Sequence, residues 1–255
     1  FTEGECLHRG CGRDRAIWIA KDGDRRHKGP AQAHQDVVVR VADIAWACGL
    51  EYKSDGVGTF LQGKNEVVWI HQAANLDPYH PITSRTRAVL PVHLYGQACE
   101  MEAIMAIAQK HNLYVIEDNA QAIGSDYYFK DGTVKKTGSI GTVGCTSFFP
   151  SKNLGGYGDG GAIMTNDDEL AAKLKMVANH GQSQRYYHDV VGCNSRLDTI
   201  QAAILNIKLQ HLDTYIDARR RVADAYDAAF APHPKLEPPY RDKSSKHVFH
   251  QYTLI

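Results

Sequence analysis

A single lysine in a glycine-rich segment between two apolar stretches constrains this chain more than any other feature. The segment, residues 147–161, reads SFFPSKNLGGYGDGG, and its one lysine is Lys152. The apolar stretches at 144–149 and 161–165 have the length of buried strands. Amines held on a turn between buried strands form Schiff bases with carbonyl cofactors. On the segment alone, a solvated lysine on a glycine-rich turn is the commoner arrangement, so the interpretation depends on the rest of the chain.

A phosphate-binding P-loop is the other interpretation of so many glycines. A P-loop ends in Gly-Lys-Ser or Gly-Lys-Thr and leads directly into a helix. Here Lys152 lies between Ser151 and Asn153, and no helix signal follows at once. The sequence therefore argues against a P-loop.

Residues 88–117 have the pattern of a βαβ unit. The apolar stretch at 88–94 predicts a strand, residues 101–111 place apolar side chains on one face of a helix, and 113–117 predict the next strand. Such a unit has parallel strands and a right-handed crossover. Asp118 then falls at the carboxyl end of a strand, where open α/β sheets bind ligands. Capping a short helix that begins at Ala120 is a compatible alternative.

Local signals predict the remaining elements of the chain. They are a hairpin at 125–138 with a two-residue turn at Asp131-Gly132, a helix to residue 178 capped by Asn166 or Asp167, a bent helix at 197–231 and a strand at 247–255.

The composition limits the partners of this chain of 255 residues. It has 29 basic and 29 acidic residues, so no net charge favours nucleic acid or a membrane. Six scattered cysteines without a C-x-x-C pair predict reduced thiols in a cytoplasmic protein. No signal peptide or membrane-spanning apolar run is visible. Cys6, His8 and Cys11 are close enough to ligate a metal, but no second ligand pair follows, so we predict no metal site.

Five longer motifs follow one another between residues 91 and 205. They are PVHLYGQ at 91–97, IEDNAQAIG at 116–124, SFFPSKNLGGYGDGGAI at 147–163, NHGQ at 179–182 and NSRLDTIQAAIL at 194–205. Over about residues 75–255 the chain resembles the DegT/DnrJ/EryC1/StrS family of sugar aminotransferases. The resemblance implies pyridoxal 5'-phosphate (PLP) as the cofactor and the aspartate-aminotransferase type of fold, fold type I. Several long motifs in register are far more specific than one short pattern.

The resemblance assigns three residues to the cofactor ring. Lys152 matches the lysine that binds PLP covalently and later moves a proton between the substrate carbon and the cofactor. Asp118 matches the carboxylate that pairs with the pyridine nitrogen. A nearby anion raises the pKa of that nitrogen, and a protonated ring is the better electron sink. Gln121 matches the glutamine beside the ring and its phenolic oxygen.

Three further residues take roles from the same resemblance. Ser147 matches a serine that donates to the cofactor phosphate, and Arg196 matches a residue close to the sugar-nucleotide substrate. Asn194 matches an asparagine that reaches the phosphate from a neighbouring subunit, which implies a homodimer with shared sites. From the residues alone, these three are better explained as a strand-end hydroxyl, a surface charge and a turn residue, respectively.

The chain departs from the family pattern at both ends. The family carries an upstream Ser-Gly-Thr loop that opens a helix and grips the phosphate with the helix N-terminus. The nearest string here, at 56–59, is a poor match. Residues 1–74 carry no clean periodicity apart from a short strand predicted at 67–70, and the aromatic residue that stacks on the ring is not identified. We therefore expect weak PLP binding, a sheet short of strands and a truncated second domain.

The sequence thus predicts an α/β fold with a mostly parallel sheet. Its parts are an atypical segment at 1–74, a PLP-binding large domain at 75–211, and a connecting helix with the start of a second domain at 212–255. The predicted function is transamination of a keto-sugar nucleotide, with an amino acid, glutamate, as the donor. One alternative is a PLP-dependent sugar dehydratase, which Lys152 opposes because such relatives replace the lysine. The other is a non-catalytic remnant or interaction module, which the missing Ser-Gly-Thr loop favours.

Overall fold

The computed structural model describes residues 15–19, 60–62, 65–71, 82–84 and 86–255. In the first three of these ranges it describes the backbone alone. The candidate ligands Cys6, His8 and Cys11 and the string at 56–59 lie outside the described residues.

Strands dominate the first two thirds of the described chain and helices the last third. The strands are β1 (Arg15–Ile19), β2 (Phe60–Gln62), β3 (Asn65–His71), β4 (Thr86–Val92), β5 (Tyr114–Asp118), β6 (Asp126–Tyr128), β7 (Val134–Lys136), β8 (Val143–Ser147), β9 (Gly161–Thr165), β10 (Gln182–Gln184) and β11 (Tyr187–His188). The helices are α1 (Met101–His111), α2 (Asp168–Ala178), α3 (Thr199–Leu209) and α4 (Leu212–Phe230), with a 3-10 helix at Leu94–Gly96.

Seven strands form one mixed sheet in the order β1-β9-β8-β5-β4-β3-β2. The four strands β3, β4, β5 and β8 pair in parallel. Strand β9 is antiparallel to both β8 and β1, so β1 runs in the same direction as those four. Five of the seven strands therefore point one way. The expected shortage of strands is wrong, because β1, β2 and β3 from the first 74 residues complete the sheet, and β3 includes the strand predicted at 67–70.

The βαβ unit formed by β4, α1 and β5 is confirmed. The two strands pair in parallel, with Val92 opposite Asp118. Their side chains are buried on both faces of the sheet because helices cover both faces. Leu90 and Ile116 face a core that includes Leu174 of α2. Alternate residues of the same strands face a second core with α1.

The helices begin and end where local signals predicted. The Asp167 side chain accepts hydrogen bonds from the N–H groups of Glu169 and Leu170, which caps α2. The bent helix predicted at 197–231 is two helices, α3 and α4, with the break at residues 210–211. In the described part of the chain, no helix is both long and apolar enough to cross a membrane.

Two local predictions need correction. The turn of the hairpin β6–β7 has three residues rather than two, because the N–H of Phe129 donates to the carbonyl of Thr133. Gly132 takes the left-handed conformation in this turn, with φ of 85°. Residues 247–255 form no strand, because Phe249 has φ of 46° and interrupts the extended chain.

A third core connects α3, α4 and the C-terminal residues to the glycine-rich segment at 147–161 that carries Lys152, hereafter the lysine segment. Phe148 and Val248 are fully buried in it, together with Ile216 of α4. Arg219 and Arg220 of α4 also donate to backbone carbonyls of residues 247–250. Residues 212–255 therefore pack against the sheet, and the division into domains at 74 and 211 stays a prediction.

The carboxylate of Glu117, in β5, is fully buried and accepts four hydrogen bonds. It accepts the backbone N–H groups of Gly138, Ile140 and Gly141 at 2.7, 2.7 and 2.6 Å. His93 Nε2 donates to it at 2.9 Å, because His93 Nδ1 already accepts the N–H of Cys99. The four donors hold the end of β5 rigidly against β4 and the turn before β8.

We expect Glu117→Gln to lower the free energy of unfolding by about 3 kcal/mol. The substitution places an NH₂ group against a backbone N–H that needs an acceptor. Equilibrium urea unfolding followed by circular dichroism measures the difference. Glu237→Gln, at an exposed carboxylate, is the matched control and should change stability by less than about 0.5 kcal/mol. Equal stability of the two variants would contradict the role given to Glu117.

Candidate active site

Three predicted site residues lie at one edge of the sheet, where two neighbouring parallel strands end. Asp118 is the last residue of β5, and Ser147 is the last residue of β8. Because Asp118 is opposite Cys145, Ser147 lies two positions further toward the same edge. Lys152 follows after a tight turn in which its N–H donates to the carbonyl of Phe149 at 2.9 Å. The carboxyl ends of parallel strands are where such sheets bind ligands.

The carboxylate of Asp118 is buried, with 6% of the residue exposed. Its Oδ1 accepts the N–H of Ala120 at 3.0 Å, and its backbone carbonyl accepts the N–H of His93 at 3.0 Å. Residues 120–124 form turns, so no helix begins here and the predicted cap serves a turn instead. The carboxylate is therefore fixed in place before any ligand binds.

Gln121 is oriented by the backbone of the neighbouring strand end. Its Oε1 accepts the N–H of Tyr95 at 2.6 Å. Tyr95 follows β4 and has φ of 59°, an uncommon conformation for a residue other than glycine. Because the amide oxygen already accepts this hydrogen bond, the amide NH₂ group (Nε2) is the one that can donate to a ligand oxygen.

The turn that presents Lys152 is closely packed. A Cβ on Gly155 would lie 2.4 Å from the carbonyl oxygen of Pro150, so this position requires glycine. The side chain of Asn153 donates to the carbonyl of Val248 at 3.0 Å. Lys152 itself is half-buried. The lysine is thus held between the sheet edge and the C-terminal residues rather than extended into solvent.

Ser147 is half-buried like Lys152, whereas the last two predicted residues are exposed. Ser147 Oγ accepts the N–H of Phe149 at 3.2 Å, which leaves its hydroxyl proton as a donor. Asn194 and Arg196 are exposed and contact each other, with Arg196 Nε donating to Asn194 Oδ1 at 3.1 Å. Asp118, Gln121, Ser147 and Lys152 therefore cluster around the ends of β4, β5 and β8, whereas Asn194 and Arg196 form a separate exposed pair.

His250 is a residue of this site that the sequence analysis did not assign. Burial and the positive charges of Lys152 and Arg219 lower the pKa of its imidazole to about 4. The N–H of the following residue, Gln251, donates to the carbonyl of Tyr95 at 3.4 Å. The only signal in the sequence was the pair of histidines in HVFHQY, which we interpreted as part of a strand.

The residues at this edge fit the chemistry of PLP. Lys152 supplies a half-buried amine of the kind that reacts with the aldehyde, and Asp118 supplies a buried carboxylate of the kind that pairs with the ring nitrogen. Gln121 and Ser147 offer an amide and a hydroxyl donor for the phenolic oxygen and the phosphate. The residue types at this edge are therefore compatible with PLP.

Comparisons with known proteins show which family this chain resembles. A model of the DegT/DnrJ/EryC1/StrS aminotransferase family matches residues 72–255. A UDP-N-acetyl-3-dehydro-alpha-D-glucosamine 3-aminotransferase from Acidithiobacillus ferrooxidans is 51% identical over 173 residues, which are 68% of this chain and 45% of that protein. A pleiotropic regulatory protein from Geobacillus stearothermophilus is 50% identical over 185 residues, 71% of this chain and 48% of that protein. The chain thus spans about half the length of these curated relatives.

Solved structures confirm the predicted fold. The crystal structure of DesV from S. venezuelae, in complex with a ketimine intermediate, superposes with a TM-score of 0.74 at 30% sequence identity. The match covers 94% of this chain and 64% of DesV. The described chain has the α/β fold of PLP-dependent sugar aminotransferases, with a mixed, mostly parallel sheet.

Proposed function

Because the chain belongs to the DegT/DnrJ/EryC1/StrS aminotransferase family, we propose that it transfers an amino group from an amino acid to a keto-sugar nucleotide, with PLP as cofactor and glutamate as donor. The observation that carries this proposal is the placement of Asp118 at the end of β5 and of Lys152 on the turn that follows the neighbouring strand β8. A keto-sugar substrate is supported by the activities for which relatives are named, among them two sugar-nucleotide aminotransferases at 51% and 49% identity. The fold alone would not distinguish among PLP reactions.

PLP, when bound, supplies an electron sink that stabilises negative charge on the substrate carbon. The residues of the chain then have separate tasks. Lys152 Nζ would hold the cofactor through its aldehyde and would carry a proton to or from the substrate carbon. The Asp118 carboxylate would favour a protonated ring nitrogen. Gln121 Nε2 and the Ser147 hydroxyl would orient the ring and the phosphate relative to Lys152.

We also propose that the competent form is a homodimer with shared sites. Apolar side chains are exposed in the lysine segment and along α3. They are Phe149, Tyr157, Ile200 and Ile207. Tyr157 is held in this exposed position by Gln201 Oε1, which accepts its N–H at 2.7 Å. Because this hydrogen bond connects the two stretches that carry exposed apolar groups, we expect a partner there, and Asn194 and Arg196 would then serve the partner's site.

A binding or regulatory protein without catalysis is the second candidate. It is supported by the name of the Geobacillus relative and by the poor match to the Ser-Gly-Thr loop. Loss of two charge-assisted hydrogen bonds to the phosphate would weaken PLP binding by roughly two to four orders of magnitude. Transamination of keto-sugar nucleotides at millimolar PLP separates the candidates. Turnover in the wild type that is lost in Lys152→Ala supports the enzyme. Absence of turnover in the wild type favours the binding protein.

We further propose that the protein is cytoplasmic.

Asp118→Asn should bind PLP but slow proton transfer by about two to four orders of magnitude. A neutral amide no longer favours the protonated ring nitrogen. Stopped-flow absorbance with glutamate measures the rate. Asp217→Asn, at an exposed residue of α4, is the matched control and should retain the wild-type rate. An unchanged rate in Asp118→Asn would mean that another group protonates the ring.

Mixing Lys152→Ala and Asn194→Ala chains should recover roughly a quarter of the wild-type activity. Half of the dimers in an equal mixture are hybrids, and each hybrid has one site with both residues intact. Each variant alone should be inactive or nearly so. The mixture is assayed after subunit exchange, with hybrid content checked by native mass spectrometry. Inactive hybrids would show that each site is built within one chain.

A further inference from the structure

The C-terminal residues 247–251 lie against the candidate active site. The N–H of Val248 donates to the carbonyl of Gly96 at 2.8 Å, and Asn153 of the lysine segment donates to the carbonyl of Val248 at 3.0 Å. A Cβ on Gly96 would lie 3.0 Å from the backbone nitrogen of His250. These contacts place His250 beside both the strand end that orients Gln121 and the turn that presents Lys152.

Helix α4 holds this segment in an unusual backbone conformation. Arg219 Nη1 donates to the carbonyls of Phe249 and His250 at 3.2 and 3.4 Å. The guanidinium of Arg241 lies over the ring of Phe249, at 4.7 Å from its centroid. Phe249 has φ of 46°, which a bulky residue rarely adopts. Backbone strain held by surrounding contacts occurs preferentially at ligand-binding positions.

The two histidines of the segment differ in their hydrogen bonds. His247 Nδ1 accepts the N–H of Phe249 at 3.0 Å, and its ring stacks on that of Phe249 at 3.8 Å. His250 Nδ1 is covered, yet it has no hydrogen-bond partner in the described part of the chain. Covered polar atoms are almost always paired, so an unpaired one beside a reactive lysine points to a ligand.

The charges around His250 restrict the kind of ligand group that it can bind. Burial, together with the positive charges of Lys152 and Arg219, lowers the pKa of the imidazole to about 4, so the ring is neutral at physiological pH. A neutral ring has no charge to attract a phosphate or a carboxylate. It is suited to an uncharged oxygen, since a hydroxyl can donate to or accept from either tautomer.

We propose that His250 is a substrate-binding residue whose Nδ1 forms a hydrogen bond with a hydroxyl or carbonyl oxygen of the sugar that reacts at Lys152. The identity of that ligand rests on the proposed function. The position of His250 beside Lys152 does not. A sugar lacking this oxygen would leave Nδ1 unpaired and would react more slowly, so the residue contributes to specificity.

The first experiment tests the position without activity. In the chain labelled with ¹⁵N-histidine, NMR titration should show a neutral His250 imidazole down to about pH 5. In Lys152→Met, the pKa of His250 should rise by roughly one unit, because a nearby positive charge is removed. His247 is the internal control and should titrate alike in both chains. An unchanged His250 in Lys152→Met would overturn the proposal.

The second experiment tests the contact with substrate by separating the two half-reactions. His250→Phe keeps a ring but removes both nitrogens, whereas His250→Asn keeps a polar group near the Nδ1 position. With glutamate, single-turnover rates at excess PLP should stay within about threefold of wild type in both variants. The second half-reaction is measured with UDP-, dTDP- and GDP-linked keto-sugars. Its kcat/KM should fall by about 10- to 100-fold in His250→Phe and should be within about fivefold of the wild-type value in His250→Asn.

The outcomes distinguish this inference from the proposed function. Equal losses in both half-reactions, or no loss in His250→Phe, would contradict a role in binding the sugar. Failure of the wild-type chain in both half-reactions would instead contradict the proposed function and, with it, the assignment of the ligand as a sugar. The position of His250 beside Lys152 is then decided by the NMR titration alone.

Discussion

The site depends on one buried carboxylate, that of Glu117. It accepts hydrogen bonds from three backbone N–H groups and from His93 Nε2, with donor–acceptor distances of at most 2.9 Å. Successive side chains of a strand point to opposite faces, so Glu117 anchors the end of β5 from one face while Asp118 is presented on the other. Burying an ionised carboxylate is costly unless its oxygens are fully hydrogen-bonded. Four converging donors meet that condition and fix the strand end on which Asp118 lies.

The turn at Tyr95 and Gly96, which follows β4, connects Gln121 to the C-terminal residues. The backbone at Tyr95 and Gly96 has φ of 59° and 101° and lies directly against Val248 and His250. The N–H of Tyr95, in the 3-10 helix Leu94–Gly96, donates to Gln121 Oε1. The contacts therefore form a continuous path from Gln121 through this turn to His250. A side chain at Gly96 would collide with the C-terminal residues and disturb both sides of the site.

The spacing of apolar residues predicted most of the fold, because within each element this spacing indicates which side chains are buried. The apolar stretch around Leu90, the helix Met101–His111 and the position of Asp118 at a strand end follow from periodicity and the βαβ rule. The C-terminal segment was misassigned because its β-branched and aromatic residues are typical of a strand. The groups that determine its conformation, Arg219 and Arg220, lie 27 to 31 residues away in sequence. The bond between His93 and Glu117, 24 residues apart, was equally invisible.

The central claim is that Lys152 is the amine that binds PLP. The direct measurement is borohydride reduction of the chain after incubation with excess PLP, followed by digestion and mass spectrometry of the peptides. The account predicts one cofactor per chain, attached to the peptide that contains Lys152, and no attachment at that site in Lys152→Ala. Saturable attachment to a different lysine, or none at all, would contradict it.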